Sequence, residues 1–412
     1  MENETKKKKL GLLPKLLIGI LCGILLGSIG NIFGLTGGAA TGFKGFIRVL
    51  STFSSLFSTF LSFLIPLLIV SFVSVGLAEL GKKANKLFGV TLLFAYASTV
   101  LAGFIAFIVG KAILPSVIDK IAGKGIKEKV FDPIFTIEAA PVFGVMTALV
   151  LAFVIGLGMA NLKESKGALL EVCRDLQEII TMVLGKVIIP IIPFYIGCSF
   201  AKIAAAGRLF PTIKMFAKLY IMILLLQYIY ILIQMGISSA FCHENNYKKI
   251  KNILPAYFTA LGTQSSAATI PVNLDCAKTK NHVSEDVADF VIPLCATIHL
   301  AGDTITLVLG TMGIMIATGH ATSLAMFAPY ILMLGVTMVA APGVPGGGVM
   351  AALGLIKSML GFSASMADLI IALHFSQDSF GTACNITGDQ AIAFMVDKVD
   401  KGHKAKEAAK VA

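Results

Sequence analysis

Apolar residues in this chain gather in long, almost unbroken runs, where a soluble protein would show alternation or one-sided stripes. "LLIGILCGILLGSIG" and "LYIMILLLQYIYILIQMGI" are two of them, and a helix of about 20 such residues crosses the ~30 Å hydrocarbon core of a bilayer. The runs predict membrane segments near 14–34, 43–78, 86–111, 139–161, 172–204 and 211–238, the second long enough to be tilted. A loop at 112–137 carries Lys120, Lys124, Lys127 and Lys129 beside Asp119, Glu128 and Asp132.

Beyond residue 245 the pattern changes. "ILPAYFTALGTQSSAATIPVNL" is apolar at both ends and polar at Thr263–Ser266, with Pro271 beyond. A continuous span would not place TQSS at its middle, whereas two half-helices meeting at a serine-rich tip would. "FAPYILMLGVTMVAAPGVPGGGVMAALGLIKSML" is interrupted in the same way by "APGVPGGG". Broken backbone inside lipid survives only where protein or a water-filled cavity satisfies its polar groups. The flanking runs are too short to span singly, so both elements read as re-entrant hairpins, near 246–275 and 323–358, rather than extramembrane turns.

Two apolar segments carry polar residues inside them. In "HFSQDSFGTACNITGD", which runs from His374 to Asp389, the residues Asp378, Thr382, Asn385 and Asp389 fall at helical spacing. At about 100° per residue they stay within a wedge of roughly 60°, one narrow polar stripe. "FVIPLCATIHLAGDTITLVLG" holds Thr297, His299, Asp303 and Thr304, with Gly302 able to loosen the helix locally. Three carboxylates at membrane depth cost several kcal/mol each unless paired, and such residues mark ion or substrate paths.

Composition supports the membrane reading. Of 412 residues, 56% are hydrophobic and only 14% charged, with a mean hydropathy of +0.87. The fold class is therefore an all-α polytopic membrane protein, not a large soluble protein with buried core helices. A net charge of +11 would suit nucleic acid, but its placement excludes that partner. Lys6–Lys9 abut the first run, Lys82, Lys83 and Lys86 follow the second, and "KVDKGHKAKEAAK" closes the chain. Basic residues that flank spans orient them, which predicts cytoplasmic N- and C-termini, with Lys163 and Lys166 inside and the uncharged 34–42 loop outside. The 112–137 loop falls outside despite its lysines. The first run offers no A-x-A site and reads as a span, not a cleaved leader. Seven cysteines without CxxC spacing fit neither a disulfide framework nor a zinc site, and read as small buried hydrophobes.

The stripe suggests chemistry. An amino group would want Asp378. A carboxylate would suit Asn385, Thr382 and the N–H groups at half-helix N-termini. Asp389 and exposed carbonyls offer the hard oxygen ligands that a small cation such as Na+ takes. Acid for ammonium and amide for carboxylate make an amino-acid site, with a coupling cation beside it.

Four segments, "TQSSAATIPVN", "PLCATIHLAGDTIT", "APGVPGGG" and "QDSFGTACNITGD", resemble in that order the signature segments of the dicarboxylate/amino acid:cation symporter family, the glutamate transporters. "SSAA" followed by "IPVN", together with "QDS", is similar to its bacterial serine/threonine:sodium symporter branch. The resemblance implies eight transmembrane segments plus two re-entrant hairpins, forming a homotrimer in the inner membrane of a prokaryote. It implies a scaffold of segments one and two (1–85) and four and five (112–210). A transport domain of the third segment (86–111) and of 211–396 would move as an elevator, leaving 397–412 as a cytoplasmic tail.

Carried over by position, Asp378 matches the ligand of the substrate amine, Asn385 the donor to its carboxylate, and Thr382 a polar contact. Ser265 and Ser266 in the first tip, and Gly343 and Val344 in the second, match substrate contacts made there. Asn385, Asp389 and the carbonyls of Cys295 and His299 match one sodium site; the carbonyls of Thr297, Leu300, Met338, Val339 and Ala341 match a second.

The departures are as informative. The family's "NMDGT" reads "HLAGD" here, so His299 stands for Asn and Ala301 for Asp, while the third segment offers Thr91, Phe94 and Ala95. A third sodium site is thereby expected to be dismantled, with His299 able to titrate in place of an ion. The arginine that grips a side-chain carboxylate corresponds to Gly381, and Gln264 replaces an arginine sometimes found at the first tip. Asp303 occupies the position of a side-chain-contacting Thr. Without a guanidinium a second carboxylate loses its bidentate partner. The expected activity is therefore secondary active import of serine, threonine, alanine or a similar small amino acid, coupled to Na+ or H+, without a bound cofactor. A basic side chain pairing with Asp303 is the next option, and import of aspartate, glutamate or another dicarboxylate is the alternative the family carries. A passive channel leaves the tight stripe without a purpose. An intramembrane enzyme using Asp303, Asp378 or His374 leaves both hairpins unexplained. "GVPGGGV" lacks the GK[ST] of a nucleotide-driven pump.

Overall fold

The computed structural model describes residues 12–82, 86–119, 131–162 except 138, 140 and 143, and 167–411 except 340, 342 and 344. Among the described residues every regular element is helical. The lysines at 6–9, 83, 120, 124, 127, 129, 163 and 166, Glu128 and Val344 lie outside them.

The first three runs form α1 (Leu12–Ile32), α2 (Gly37–Lys82) and α3 (Lys86–Val117), and the fourth forms α4 (Val145–Asn161). At 1.5 Å per residue α2 is about 69 Å long, more than twice the hydrocarbon thickness, and it carries Pro66 inside it. The fifth run is not a plain rod: α5 (Ala168–Val183) and α6 (Ile189–Ala205) are joined by a π turn at Leu184–Ile188, just ahead of Pro190 and Pro193 in α6. The sixth run is α7 (Leu209–Cys242). Each of these boundaries is a few residues from the sequence expectation, and α3 continues through Val117, six residues past the predicted 111.

The interrupted elements are pairs of half-helices. α8 (Ile250–Thr263) and α9 (Ser266–Asp275) form the first, and α12 (Leu324–Val339) and α13 (Gly347–Leu360) the second. None exceeds 16 residues, about 24 Å at 1.5 Å per residue, so none spans a bilayer alone. Between the pairs, α10 (Glu285–Ile298) and α11 (Ala301–Ala317) are one rod broken at His299 and Leu300. This corrects the role expected of Gly302. The break precedes it, and Gly302 serves close packing: a Cβ there would come 2.3 Å from the Gly381 carbonyl oxygen. The last helix, α14 (Ala364–Val411), carries the whole polar stripe and stays helical through most of the segment expected to be a tail.

Six rods among the described residues are long and apolar enough to cross a membrane by themselves: Pro14–Ile32, Gly37–Gly76, Leu87–Val117, Ala168–Ala205, Leu209–Cys242 and Glu285–Ala317. Their surroundings differ. The apolar window of Pro14–Ile32 is 17% buried and that of Glu285–Ala317 is 94% buried, so α1 is peripheral and α10–α11 is the interior rod. Leu21, Leu25, Val150, Val154, Ile221 and Leu225 are exposed, as lipid-facing side chains are.

Packing separates two bundles. In one, α1 lies along α6, and α2 lies along α4, α5 and α6. Gly19, Gly23 and Gly27, spaced four apart, set the first of these crossings: a Cβ at any of them would come 2.1–2.2 Å from a carbonyl oxygen of Pro193, Gly197 or Ala201. Small residues at this spacing bring two backbones into direct contact, as membrane helices do without a hydrophobic drive between them. In the other bundle α14 is central, with α3, α7, α8, α10 and α11 around it and the two hairpins against it. The bundles meet chiefly where α13 touches α2 and α4 and where α14 touches α1 and α6.

Candidate functional site

The two hairpin tips meet on α14. α8 ends on Gln264 in the left-handed conformation (φ 54°), which stops the helix and frees the chain to turn. Its amide donates to Ser379 Oγ at 2.9 Å, anchoring the first tip to α14. Ser265 caps α9 by accepting from the N–H of Ala268 at 3.2 Å, and its hydroxyl donates to the Gly343 carbonyl of the second tip at 2.7 Å. The second tip turns at Gly346, also left-handed (φ 73°), where a Cβ would sit 2.0 Å from the Phe375 ring. Only glycine fits there on both counts. The Gly346 N–H donates to Asp378 Oδ2 at 2.8 Å, so Asp378 lies at the N-terminus of α13, where a helix favours negative charge.

Beside this junction the stripe forms a connected chain. Asn385 donates from Nδ2 to Asp303 Oδ2 at 2.6 Å and accepts the Gly302 N–H on Oδ1 at 2.7 Å, the group released where the rod breaks before α11. His374 Nε2 stands 2.9 Å from Asp303 Oδ1. One ligand atom from each of Asp303, His374 and Asp378 lies within 4.8 Å of the others, and all three residues are buried. Asp303 also approaches the first turn of α13, since a Cβ at Gly348 would come 2.5 Å from its Oδ1. Gly381 leaves room at its Cβ position, with its nearest neighbours at 3.6 Å.

Farther along α14, Asp389 Oδ1 meets His299 Nδ1 at 2.9 Å. The other imidazole nitrogen is 3.0 Å from Ser98 Oγ and 3.3 Å from Gln234 Nε2. Tyr230 closes the cage at 3.0 Å from Ser98 Oγ. Among the described residues Asp389 Oδ2 is buried with no hydrogen-bond partner, a lone oxygen of the kind a cation ligand provides.

The structure thus brings Asp378, Asp303, Asn385, Gly381, Ser265 and Gly343 to one junction. Ser266 and Thr382 are buried in the same elements. The carbonyls read as cation ligands lie at the two chain breaks. Cys295 O accepts the His299 N–H at 2.9 Å and Met338 O accepts the Ala341 N–H at 3.4 Å. Leu300 O accepts both the N–H and the hydroxyl of Thr304 at 3.0 Å. Cys295 O and Met338 O each keep a second lone pair for a cation, whereas Leu300 O has both engaged by Thr304. Val339 ends α12 half-buried, and Thr297 is exposed with its hydroxyl turned back to Leu294 O. The end of α10 reaches the second tip, since a Cβ at Gly343 would come 3.0 Å from Ala296 O.

Sequence reasoning overlooked Ser98, Tyr230, Gln234, Ser379 and Gln227, whose amide donates to Gly302 O at 3.2 Å. A signal was present: Gln227, Tyr230 and Gln234 fall at i, i+3 and i+7 of an apolar run, one face of α7. His374, which the sequence offers only as an acid–base group of an intramembrane enzyme, stands beside Asp303 at this junction.

A profile of the sodium:dicarboxylate symporter family matches residues 12–399, and the chain belongs to that family, one of membrane-embedded secondary transporters and not of enzymes. The excitatory amino acid transporter 1 of Ambystoma tigrinum is 27% identical over 256 residues, 61% of this chain and 47% of that protein. The serine/threonine transporter SstT of Acinetobacter baumannii (strain AYE) is 28% identical over 254 residues, 60% of this chain and 62% of that protein. The excitatory amino acid transporter of Caenorhabditis elegans is 26% identical over 256 residues, 62% of this chain and 50% of that protein. The matches span about half to three-fifths of the length of these relatives.

Proposed function

We propose that this protein is a secondary active symporter that imports a small neutral amino acid, serine, threonine or alanine, on a Na+ gradient, with H+ as the alternative coupling ion. The observation that carries this reading is the junction of the two tips on α14. Asp378 is a buried carboxylate beside the hairpin N–H groups of α13, so an ammonium and a carboxylate each find an opposite charge or dipole within one residue's length. Thr382 and Asn385 complete the amino-acid contacts, the latter through the second hydrogen of its amide while the first stays on Asp303. Asp389, with its unpartnered oxygen, and the carbonyls at the chain breaks serve the cation.

A side-chain carboxylate would need a fixed cation near Gly381, and that position has no side chain. This weighs against an acidic substrate, although two of the named relatives are excitatory amino acid transporters. The α1–α2–α4–α5–α6 bundle is read as a scaffold and the α14-centred bundle as a transport domain that moves as an elevator. Eight spans with two re-entrant hairpins follow if α4 and α14 cross with the six long rods. A homotrimer in a prokaryotic inner membrane, with both termini cytoplasmic, completes the reading.

The test is uptake into proteoliposomes of labelled serine, threonine, alanine, aspartate and lysine under separate Na+ and H+ gradients. Serine, threonine or alanine accumulation driven by one of the two gradients is expected. High-affinity aspartate uptake without serine uptake would overturn the assignment of substrate, and no gradient-driven uptake of any amino acid would overturn the assignment of transport.

A further inference from the structure

The junction contains a basic side chain that the reading above does not use. His374 is fully buried on α14, one turn before Asp378, and its Nε2 meets Asp303 Oδ1 at 2.9 Å. The other oxygen of Asp303 is taken by Asn385 at 2.6 Å. Asp303 therefore has both carboxylate oxygens engaged within the protein, although it lies within 4.8 Å of the Asp378 carboxylate. Two acids this close and this deeply buried repel each other and lose their hydration, so a compensating partner is required for both to serve one site. The imidazole is placed to be that partner. Among the described residues its far nitrogen, Nδ1, is buried with no hydrogen-bond partner, so the ring's hydrogen bond there is the one to Asp303.

We propose that His374 is a specificity-determining residue: by binding Asp303 it turns an acidic wall into a charge-compensated one, so that the site selects amino acids with neutral side chains over those with basic side chains. Resting on the amino-acid symporter reading, this names how that site separates substrate classes. A basic side chain reaching the wall meets a carboxylate whose two oxygens already hold a histidine and an amide, and it must displace one of them to pair. A hydroxyl or methyl side chain needs no such exchange. Removing the imidazole frees one oxygen of Asp303, and the wall becomes a counter-ion for an ammonium or guanidinium. His374 acts through Asp303 and is in that sense a positioning residue. Its signature is therefore a change of selectivity and not a loss of rate alone.

The experiment compares wild type, His374→Ala, Asp303→Thr and the His374→Ala/Asp303→Thr double variant in proteoliposomes, each checked for monodisperse elution in detergent. Serine uptake is measured with and without competing lysine. His374→Ala is expected to lower serine kcat/KM at least tenfold and to strengthen lysine competition at least tenfold. The double variant is expected to return both to within threefold of Asp303→Thr, because without the acid the histidine has nothing to compensate. His374→Gln, whose amide can still donate to Asp303, should fall between wild type and His374→Ala in lysine competition. Unchanged serine-to-lysine preference in His374→Ala overturns the proposal, as does a double variant as impaired as His374→Ala. If His374→Ala does not fold, Asp303→Thr and His374→Gln decide: the proposal is overturned if lysine competes equally in wild type and His374→Gln. Absence of serine, threonine and alanine uptake by the wild type instead overturns the symporter reading on which this rests.

Discussion

α14 carries two buried partnerships between an aspartate and a histidine, Asp303–His374 and Asp389–His299, whose α14 members His374 and Asp389 are about four turns apart, and their surroundings differ. Both have a 2.9 Å contact between an imidazole nitrogen and a carboxylate oxygen. In the second, the remaining imidazole nitrogen is held by Ser98 and Gln234, so the pair is tied to α3 and α7. In the first, the remaining nitrogen has no hydrogen-bond partner among the described residues, and a second carboxylate, Asp378, stands close by. The same two residue types thus make a braced joint in one place and a singly fastened one beside the proposed substrate position. What distinguishes them is the satisfaction of the far nitrogen, a property of neighbours on other helices.

Several experiments would break or sharpen this contrast, the largest expected effect first. Asp378→Asn should reduce uptake by about 100-fold or more, because loss of one partner from a buried charge pair costs about 3–5 kcal/mol; uptake within tenfold of wild type would remove Asp378 from the amine. Replacing external Na+ by choline at constant pH should abolish uptake, and uptake that persists on a proton gradient would move the coupling to H+. His299→Ala leaves Asp389 buried and uncompensated, and should lower the thermal midpoint in detergent more than His374→Ala does, with a cost of about 3 kcal/mol. Equal shifts would mean that the two joints are braced alike. Ser98→Ala removes one hydrogen bond from His299, worth about 1 kcal/mol, and should raise the Na+ concentration for half-maximal uptake a few-fold without changing the serine-to-lysine preference. The smallest effect is expected at Asp119, an exposed acid 3.0 Å from Lys214 and 3.3 Å from Lys218. The two lysines hold its carboxyl below its ordinary range, so its contribution is complete at neutral pH and fades only as the medium becomes strongly acidic. Screening makes it small throughout, and Asp119→Asn should leave uptake and melting unchanged.

Much of this arrangement was legible before any coordinates. The stripe Asp378, Thr382, Asn385 and Asp389 could be read because helical spacing alone puts those residues on one face. The hairpins were legible because a run of 14 or 16 apolar residues cannot cross a bilayer. The break at His299 and Leu300 was not legible, and the loosening expected at Gly302 is not its role, because glycine signals both a loose helix and a close crossing, and here it makes the crossing. The spacing of Gly19, Gly23 and Gly27 was in plain view, yet the partner they approach, α6, lies far along the chain. The partners of His299 were hidden for a similar reason. Ser98 and Gln234 are ordinary polar residues until α3 and α7 are packed against the broken rod.

By itself the sequence determined that this chain is a polytopic helical membrane protein with two interrupted elements and one polar face on its last helix. Those properties depend on run length and on a helical period, which are local. Only the tertiary structure decided which acid meets which base. Asp303 and His374 are 71 positions apart, and Asp389 and His299 are 90 apart. The energy of a buried charge depends on the groups that surround it in space, and spacing along one helix carries no record of them.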